Sequence, residues 1–480
     1  VSILVIDAGT SGIRAVVVRP DATVACEHYA EVLPDSPAPG LVEFDADHYA
    51  DVAIELAGAA LREAGPVDGV GISNQRASTI VWDRATGHPV AAAQGWQDLR
   101  TVGDCLVLAA EGLRFAPNQS ATKVASVLGA VDPERTRNLC FGTPDTWLIW
   151  RLTKGAVHAT DLSNAAVTGL LRHDEAAWDE DVLGRLQIPL SMMPSIVDSS
   201  GPVGRATALD GAPLICGVAG DQQASLIGQG CVAAGSTKIT FGTGAMLNSC
   251  TGPTRPTSSS RSRSGTFPIV CWRRGAETMW GLEAIMLSAG TNVQWLRDDL
   301  GIIDTSDASA DVAAECDTTD GVVYVPAQLG LGTPQWDYGA RSGLFGLTRG
   351  TTRAQVVRAV LEGVARRSAD LVEAAVAETG MAIDTLRIDG GMSANAVFTQ
   401  AVADATRCRV EIAPVKEATS LGAAFLSGLE LGTWSGWDDI ASTWRPSRVV
   451  EPVGSFDRAE WDRAVARAGG WYGDLSGLDF

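Results

Sequence analysis

Two short segments of this chain carry residue types that grip a polyanion. Asp7-Ala8-Gly9-Thr10-Ser11-Gly12 follows the apolar Val5-Ile6, and Phe241-Gly242-Thr243-Gly244 follows Ile239-Thr240. Each reads as a strand, a tight Gly/Thr turn and a second strand, Ala15 to Val18 in one case and Ala245 to Leu247 in the other. Glycine lacks a Cβ, so its backbone can approach an oxyanion closely. Threonine adds a hydroxyl donor, and successive backbone N–H groups form an anion-binding nest. Two such turns, each opening one half of the chain, fit a nucleoside triphosphate held from both sides in a cleft. Asp7 stands beside the first turn. An Asp there can bond its own backbone, or it can serve Mg²⁺, which takes few carboxylates plus phosphate oxygens. Asp221 ends the apolar run Leu214 to Ala219 and opens a helical segment. Its type suits a helix N-cap. It equally suits a general base, because phosphoryl transfer otherwise needs mainly positioning and charge neutralisation. Arg76, in Asn74-Gln75-Arg76 after a strand, is either a surface charge or the lining of a polar pocket at a strand end. Trp96 is either core or an apolar wall for a substrate's carbon face.

These residues need a scaffold. Gly69 to Ser73, Pro213 to Ala219 and Leu386 to Asp389 read as strands, the last followed by Gly390-Gly391-Met392-Ser393-Ala394-Asn395 and a helix. Asp45 to Glu63 reads as a helix, Asp145 to Trp150 as a short buried one, and Thr351 to Thr379 as one long amphipathic helix. A final buried helix is expected from near Glu417-Ala418-Thr419, and the polar stretch Thr251 to Thr266 is expected to be an exposed loop. Strands alternating with helices, with a hairpin opening each half, predict mixed-sheet α/β domains. A length of 480 residues calls for two domains, and the second Gly/Thr segment divides them at 1–235 and 236–480.

The bulk composition narrows the ligands. With 57 acidic and 37 basic side chains the net charge is −20. That disfavours nucleic acid, which needs a basic footprint, and an anionic membrane surface. It leaves room for a phosphate ligand bound through backbone donors and Mg²⁺. Nine cysteines occur singly without a CxxC pair, which suits a reducing compartment and no zinc site. No apolar stretch approaches the ~20 residues of a membrane helix, and no leader-like segment precedes the first strand. The expected location is the cytoplasm.

The ordered set of motifs resembles the FGGY family of carbohydrate kinases, most closely its glycerol kinases. It comprises Asp7-Ala8-Gly9-Thr10, Ser73-Asn74-Gln75-Arg76 with Thr79-Ile80-Val81-Trp82, and Trp96-Gln97 with Arg100-Thr101. It continues through Phe141 to Trp150, Ala219-Gly220-Asp221-Gln222-Gln223-Ala224 and Phe241-Gly242-Thr243-Gly244. It ends with Gln294 to Asp298, Phe345 to Gly350, Asp389-Gly390-Gly391 and Glu417 to Ala424. The resemblance implies two actin-like ATPase (ribonuclease H-like) domains flanking a cleft, with ATP and Mg²⁺ as cofactors. It implies Asp221 as catalytic base and Asp7 as the metal-associated residue. Gly9, Thr10, Ser11, Gly242 and Thr243 become the phosphate turns, and Gly390, Gly391 and Asn395 the adenosine side. Arg76, Trp96, Asp221 and Gln222 become the polyol contacts. A homodimer or homotetramer is in keeping with it.

Four positions depart from the glycerol kinase pattern. Ala77 stands where those enzymes have Glu, Asn118 where they have Tyr, Leu287 where they have Phe, and Ser126 where they have Trp. Losing a carboxylate together with the Tyr and Phe rings alters a polar pocket's discrimination. The expectation is an ATP-dependent kinase for a small polyol or sugar. A glycerol kinase with a divergent pocket is the alternative, and a non-catalytic nucleotide- or sugar-binding regulator of the same fold is a second. Retention of Asp7, Asp221 and both turns speaks against the regulator. A chaperone-type ATPase would lack the matches at Arg76, Trp96 and Gln222.

Overall fold

Ile3–Ala8 (β1) reads Ile-Leu-Val-Ile-Asp-Ala, and each of its apolar side chains is buried. A continuous apolar run of this kind suits a central strand covered on both faces. In the computed structural model, which describes all residues except 173–175, 257–260, 415–417 and 479–480, β1 is such a strand. It pairs antiparallel with Gly12–Val18 (β2), which pairs antiparallel with Val24–Glu31 (β3). On its other edge it runs parallel to Gly69–Asn74 (β4). Ser200–Arg205 (β5) and Leu214–Gly220 (β6) complete a six-stranded sheet of order β5-β6-β4-β1-β2-β3.

The second half repeats the scheme. Thr237–Phe241 (β7) pairs antiparallel with Ala245–Gly252 (β8), and Phe267–Arg274 (β9) and Glu277–Met286 (β10) extend that edge. On the other side β7 runs parallel to Thr385–Asp389 (β11), followed by Arg409–Ile412 (β12) and Arg448–Val450 (β13). The sheet order is β9-β10-β8-β7-β11-β12-β13. In both halves a tight hairpin has a parallel strand against its first strand.

Helices cover the sheets. Ala46–Ala64 (α1) starts at Asp45, whose side chain accepts from His48 N, and packs Tyr49, Ala53 and Ala57 against Leu4, Ile6 and Val17. Pro144–Leu152 (α2) is the expected short buried helix. Asp221–Gly228 (α3) follows β6 directly, and Gly290–Asp298 (α4) follows β10. The long helix is Arg353–Thr379 (α5), opened by a Thr352–Gln355 capping box and closed by left-handed Gly380. It shares a core with Ile239, Leu247, Ile388 and Phe398. Ala396–Thr406 (α6) follows the Gly390 turn.

Ala418–Leu431 (α7) is the final buried helix; Glu417, where it was expected to begin, lies outside the described residues. It packs Leu421 and Phe425 with Ile3, Val5, Val16 and Val18 of the first sheet. It also crosses α3 at very short range. A Cβ on Gly228 would lie 1.8 Å from Ala418 O, and one on Gly422 would lie 1.8 Å from Ala224 O. The polar stretch 251–266 departs from a plain exposed loop. Thr251 and Gly252 end β8, Thr266 is buried, and Gly265 O accepts from Trp336 Nε1 at 2.7 Å. Residues 257–260 of that stretch lie outside the described residues.

Candidate active site

The parallel strands of the first sheet end in register. Asp7 pairs with Ser73 and Ala8 with Asn74, while Asn74 pairs in turn with Gly220. Three neighbouring carboxyl ends therefore present Asp7, the Asn74–Arg76 segment and Asp221 side by side, the usual place for a ligand in an α/β sheet.

Asp7 does not bond its own turn. Its carboxylate accepts from Ser73 Oγ at 2.6 Å and from Ser420 Oγ of α7 at 3.5 Å. Burial pushes it up to about 6, opposed by the Ser73 hydrogen bond and aided by the nearby Asp221 carboxylate. Asp221 is not the N-cap of α3; Gly220 is, and Asp221 is the first helical residue. Its Oδ1 accepts from Gln222 N at 2.8 Å and lies 3.4 Å from Arg76 Nε. Burial raises its affinity for a proton, while Arg76 pulls the other way.

Arg76 is not a surface charge, its side chain being 14% exposed. It reaches into the second half, where Nη2 donates to Glu283 Oε2 at 2.8 Å. Asn248 Nδ2 donates to the same oxygen at 2.9 Å. Gln222 is likewise met from the second half, its Oε1 accepting from Lys238 Nζ at 2.9 Å. Lys238, Asn248 and Glu283 are register partners on β7, β8 and β10 or their immediate neighbours, so they share one sheet face. Of the three, Glu283 is the lone charged residue in the otherwise apolar run Trp280 to Met286. Burying such groups is costly without partners, and that pattern in Leu282-Glu283-Ala284 is the signal that sequence reading missed.

Trp96 is tied to the first turn. Its Nε1 donates to Thr10 Oγ1 at 3.0 Å, which ties the proposed substrate wall to the first phosphate turn. Behind that turn Gly9 N donates to Gly12 O at 3.0 Å, and Tyr49 Oη donates to Ala8 O at 2.6 Å. Ser11 is exposed, with its carbonyl accepting from Val32 N. In the second turn Gly242 and Thr243 are exposed, and their carbonyls accept from Gly290 N and Ala289 N at 2.9 and 2.8 Å. A Cβ on Gly242 would meet only Gly244 O, at 3.8 Å, so the space above that turn is open. Gly390, at φ +90°, sits against the same strand end: a Cβ there would lie 2.2 Å from Phe241 O. Gly391 is exposed beside it. Asn395 is spent locally, capping α6 through Phe398 N and donating to Ser309 Oγ.

The four departures divide. Ala77 is buried beside Arg76 and takes a left-handed φ of +60°. Leu287 adjoins the second turn, its carbonyl oxygen 3.3 Å from where a Gly244 Cβ would stand. Asn118 is exposed and Ser126 half-buried.

Two duplicated α/β halves, each with a Gly/Thr turn at a strand end, and a half-buried Asp–Arg pair that reaches from the first half to Glu283 of the second, define a phosphotransferase of the actin-like ATPase architecture. Residues 2–228 match the N-terminal domain, and residues 237–431 the C-terminal domain, of the FGGY family of carbohydrate kinases. A glycerol kinase of Aromatoleum aromaticum is 41% identical over 98% of this chain and 99% of its own length. One of Trichlorobacter lovleyi is 41% identical over 98% and 99%. A Plasmodium falciparum glycerol kinase crystallised with ADP superposes with a TM-score of 0.91 at 29% identity, covering 97% of this chain and 98% of that one. A xylulose kinase of Rhodospirillum rubrum, at 21% identity and 99% coverage of both chains, shares the fold with a TM-score of 0.84. The chain belongs to the FGGY family of carbohydrate kinases. It is an ATP-dependent, glycerol-kinase-like enzyme that phosphorylates a hydroxyl of a small polyol or sugar. Among the described residues no helix is long and apolar enough to cross a membrane.

Proposed function

We propose that the substrate is a small polyol phosphorylated on a primary hydroxyl, with Asp221 as the base. The observation that carries this is the Asp221–Arg76 pair, 3.4 Å apart at the end of β6 and β4, with Gln222 beside it and Trp96 hydrogen-bonded to Thr10 of the first turn. Asp221 is a half-buried carboxylate within reach of a ligand, so it can take a proton from an attacking hydroxyl. Arg76 and the Gln222 amide orient the other hydroxyls, and the Trp96 indole backs the carbon chain. The Gly9-Thr10-Ser11 and Gly242-Thr243 turns hold the phosphates of ATP, and Gly390-Gly391 borders the adenosine side. The division at 235/236 places one phosphate turn in each half. Asp7 suits a divalent cation: it is a carboxylate beside a phosphate turn with only serine hydroxyls as its described hydrogen-bond partners. When bound, Mg²⁺ would neutralise charge on the transferring phosphoryl group.

Ala77 and Leu287 leave a roomier wall than Glu and Phe would, so four- and five-carbon polyols are expected as substrates alongside glycerol. Forty-one per cent identity to named glycerol kinases favours a second reading, glycerol itself as preferred substrate. Measuring ADP release across glycerol, tetritols, pentitols and ketoses separates them by kcat/KM. In the same assay Asp221→Asn should cut turnover by ~10²–10⁴-fold while nucleotide still binds. A folded Asp221→Asn enzyme with near-normal turnover would remove Asp221 from the mechanism.

A further inference from the structure

Next to Arg76 the first half offers no second carboxylate, because residue 77 is Ala. The second half does. Glu283 sits in mid-β10 with its side chain 9% exposed, and its Oε2 accepts from both Arg76 Nη2 and Asn248 Nδ2. Its other oxygen accepts nothing from any described residue. Two amides around it are also half-used. Gln223 and Asn248 are fully buried, and Gln223 Nε2 and Asn248 Oδ1 have no partner among the described residues. Their orientations are fixed by charge: Gln223 Oε1 faces Arg76 Nη1 at 3.5 Å, and Asn248 Nδ2 faces Glu283. What remains is one donor and two acceptors around a single guanidinium that also touches Asp221. A hydroxyl group both donates and accepts, so such a set matches a chain of neighbouring hydroxyls.

We propose that Glu283 is a specificity-determining residue of the polyol pocket. Its free oxygen accepts a hydrogen bond from a substrate hydroxyl distal to the one phosphorylated, while its bound oxygen holds Arg76 over the same hydroxyls. This rests on the reading of Arg76 and Asp221 as substrate-side residues. It also means that hydroxyl recognition needs both halves together, since Arg76 and Glu283 come from different sheets. A site built on such acceptors rejects analogues that lack the hydroxyl, because its buried groups are then left unpaired.

The test compares glycerol with 1,2-propanediol, a deoxy analogue that keeps one primary hydroxyl and its neighbour but lacks the distal one, in the parent enzyme, Glu283→Gln, Glu283→Asp and Asp221→Asn. Loss of a hydrogen bond to a charged acceptor should raise the glycerol KM about ten- to a hundredfold in Glu283→Gln. The KM for ATP should hold within about twofold, and the preference for glycerol over the deoxy analogue should shrink by a similar factor. Glu283→Asp keeps the charge and should recover part of that preference; it carries the test if Glu283→Gln does not fold. An unchanged preference, with both substrates weakened equally or neither weakened, overturns the proposal and leaves Glu283 a structural partner of Arg76. If Asp221→Asn also keeps near-normal turnover, the underlying site reading fails as well. If Asp221→Asn is inactive, only the Glu283 inference is lost.

Discussion

At the scale of single residues the site is governed by burial of charge. As the proposed base Asp221 must be ionised to accept a proton, and burial favours its protonated form despite Arg76. Its folded-state pKa lies above that of an ordinary Asp, so the proton-accepting carboxylate form is present above the raised value and lost as pH falls through it. Log kcat/KM should therefore drop on the acid side, and at a higher pH than an ordinary Asp would give. A profile flat down to pH ~4, where free aspartate titrates, would contradict this. Asp7, Asp221, Arg76 and both glycine turns were legible in sequence because motif order singles them out. Whether Asp7 and Asp221 serve their own backbones was not legible. That depended on Ser73, which strand register sets beside Asp7, on Ser420, which α7 brings across, and on Gly220 taking the N-cap position in place of Asp221. Glu283 escaped notice because its partner Arg76 is 207 positions away.

At the scale of elements, the capped and periodic helices were readable and the crossings were not. The α5 capping box and the β7–β8 hairpin follow from local chemistry. The α3–α7 crossing follows from small residues four apart on each helix, Ala224 with Gly228 and Ala418 with Gly422, a spacing that allows close approach but does not say which two helices meet. Its consequence is testable. A Cβ on Gly422 has Ala224 O at 1.8 Å and cannot be accommodated without moving α3, the helix that begins with Asp221. Gly422→Ala should lower stability by about 1–3 kcal/mol, as overpacking does, and reduce kcat with it. Gly129→Ala is the control: that helical glycine is exposed with nothing within 4 Å of a new Cβ. It should be neutral or stabilising by up to ~1 kcal/mol. Thermal denaturation together with turnover distinguishes the two, and equal melting temperatures would refute the close-crossing account.

At the scale of the whole molecule, the cleft is bridged from both sides. Arg76 meets Glu283, Gln222 meets Lys238, and Ser225 of α3 donates to Asp389 at the end of β11 at 3.3 Å. An enzyme that transfers phosphate to an alcohol must keep water from competing, and these bridges are where the halves can tighten. With polyol and a non-hydrolysable ATP analogue both bound, small-angle scattering should report a smaller radius of gyration than with either alone. No change at saturation would count against ligand-driven closure. The two-domain plan was visible in the repeated turn; the bridging was not, because it depends on which faces the two sheets turn toward each other.

The seating of α7 on the first sheet also sets a schedule for manufacture. The strands β1 to β6 are all made by residue 220, yet the apolar face around Ile3, Val5, Val16 and Val18 waits for Leu421 and Phe425. A ribosome adding roughly 5–20 residues per second leaves that face without α7 for about ten seconds or more while the next 200 residues emerge. Leu226, Ile227 and Trp272 share that cluster and are made earlier, so the nascent first half is expected to be part-covered by then, its seam closing only when α7 arrives.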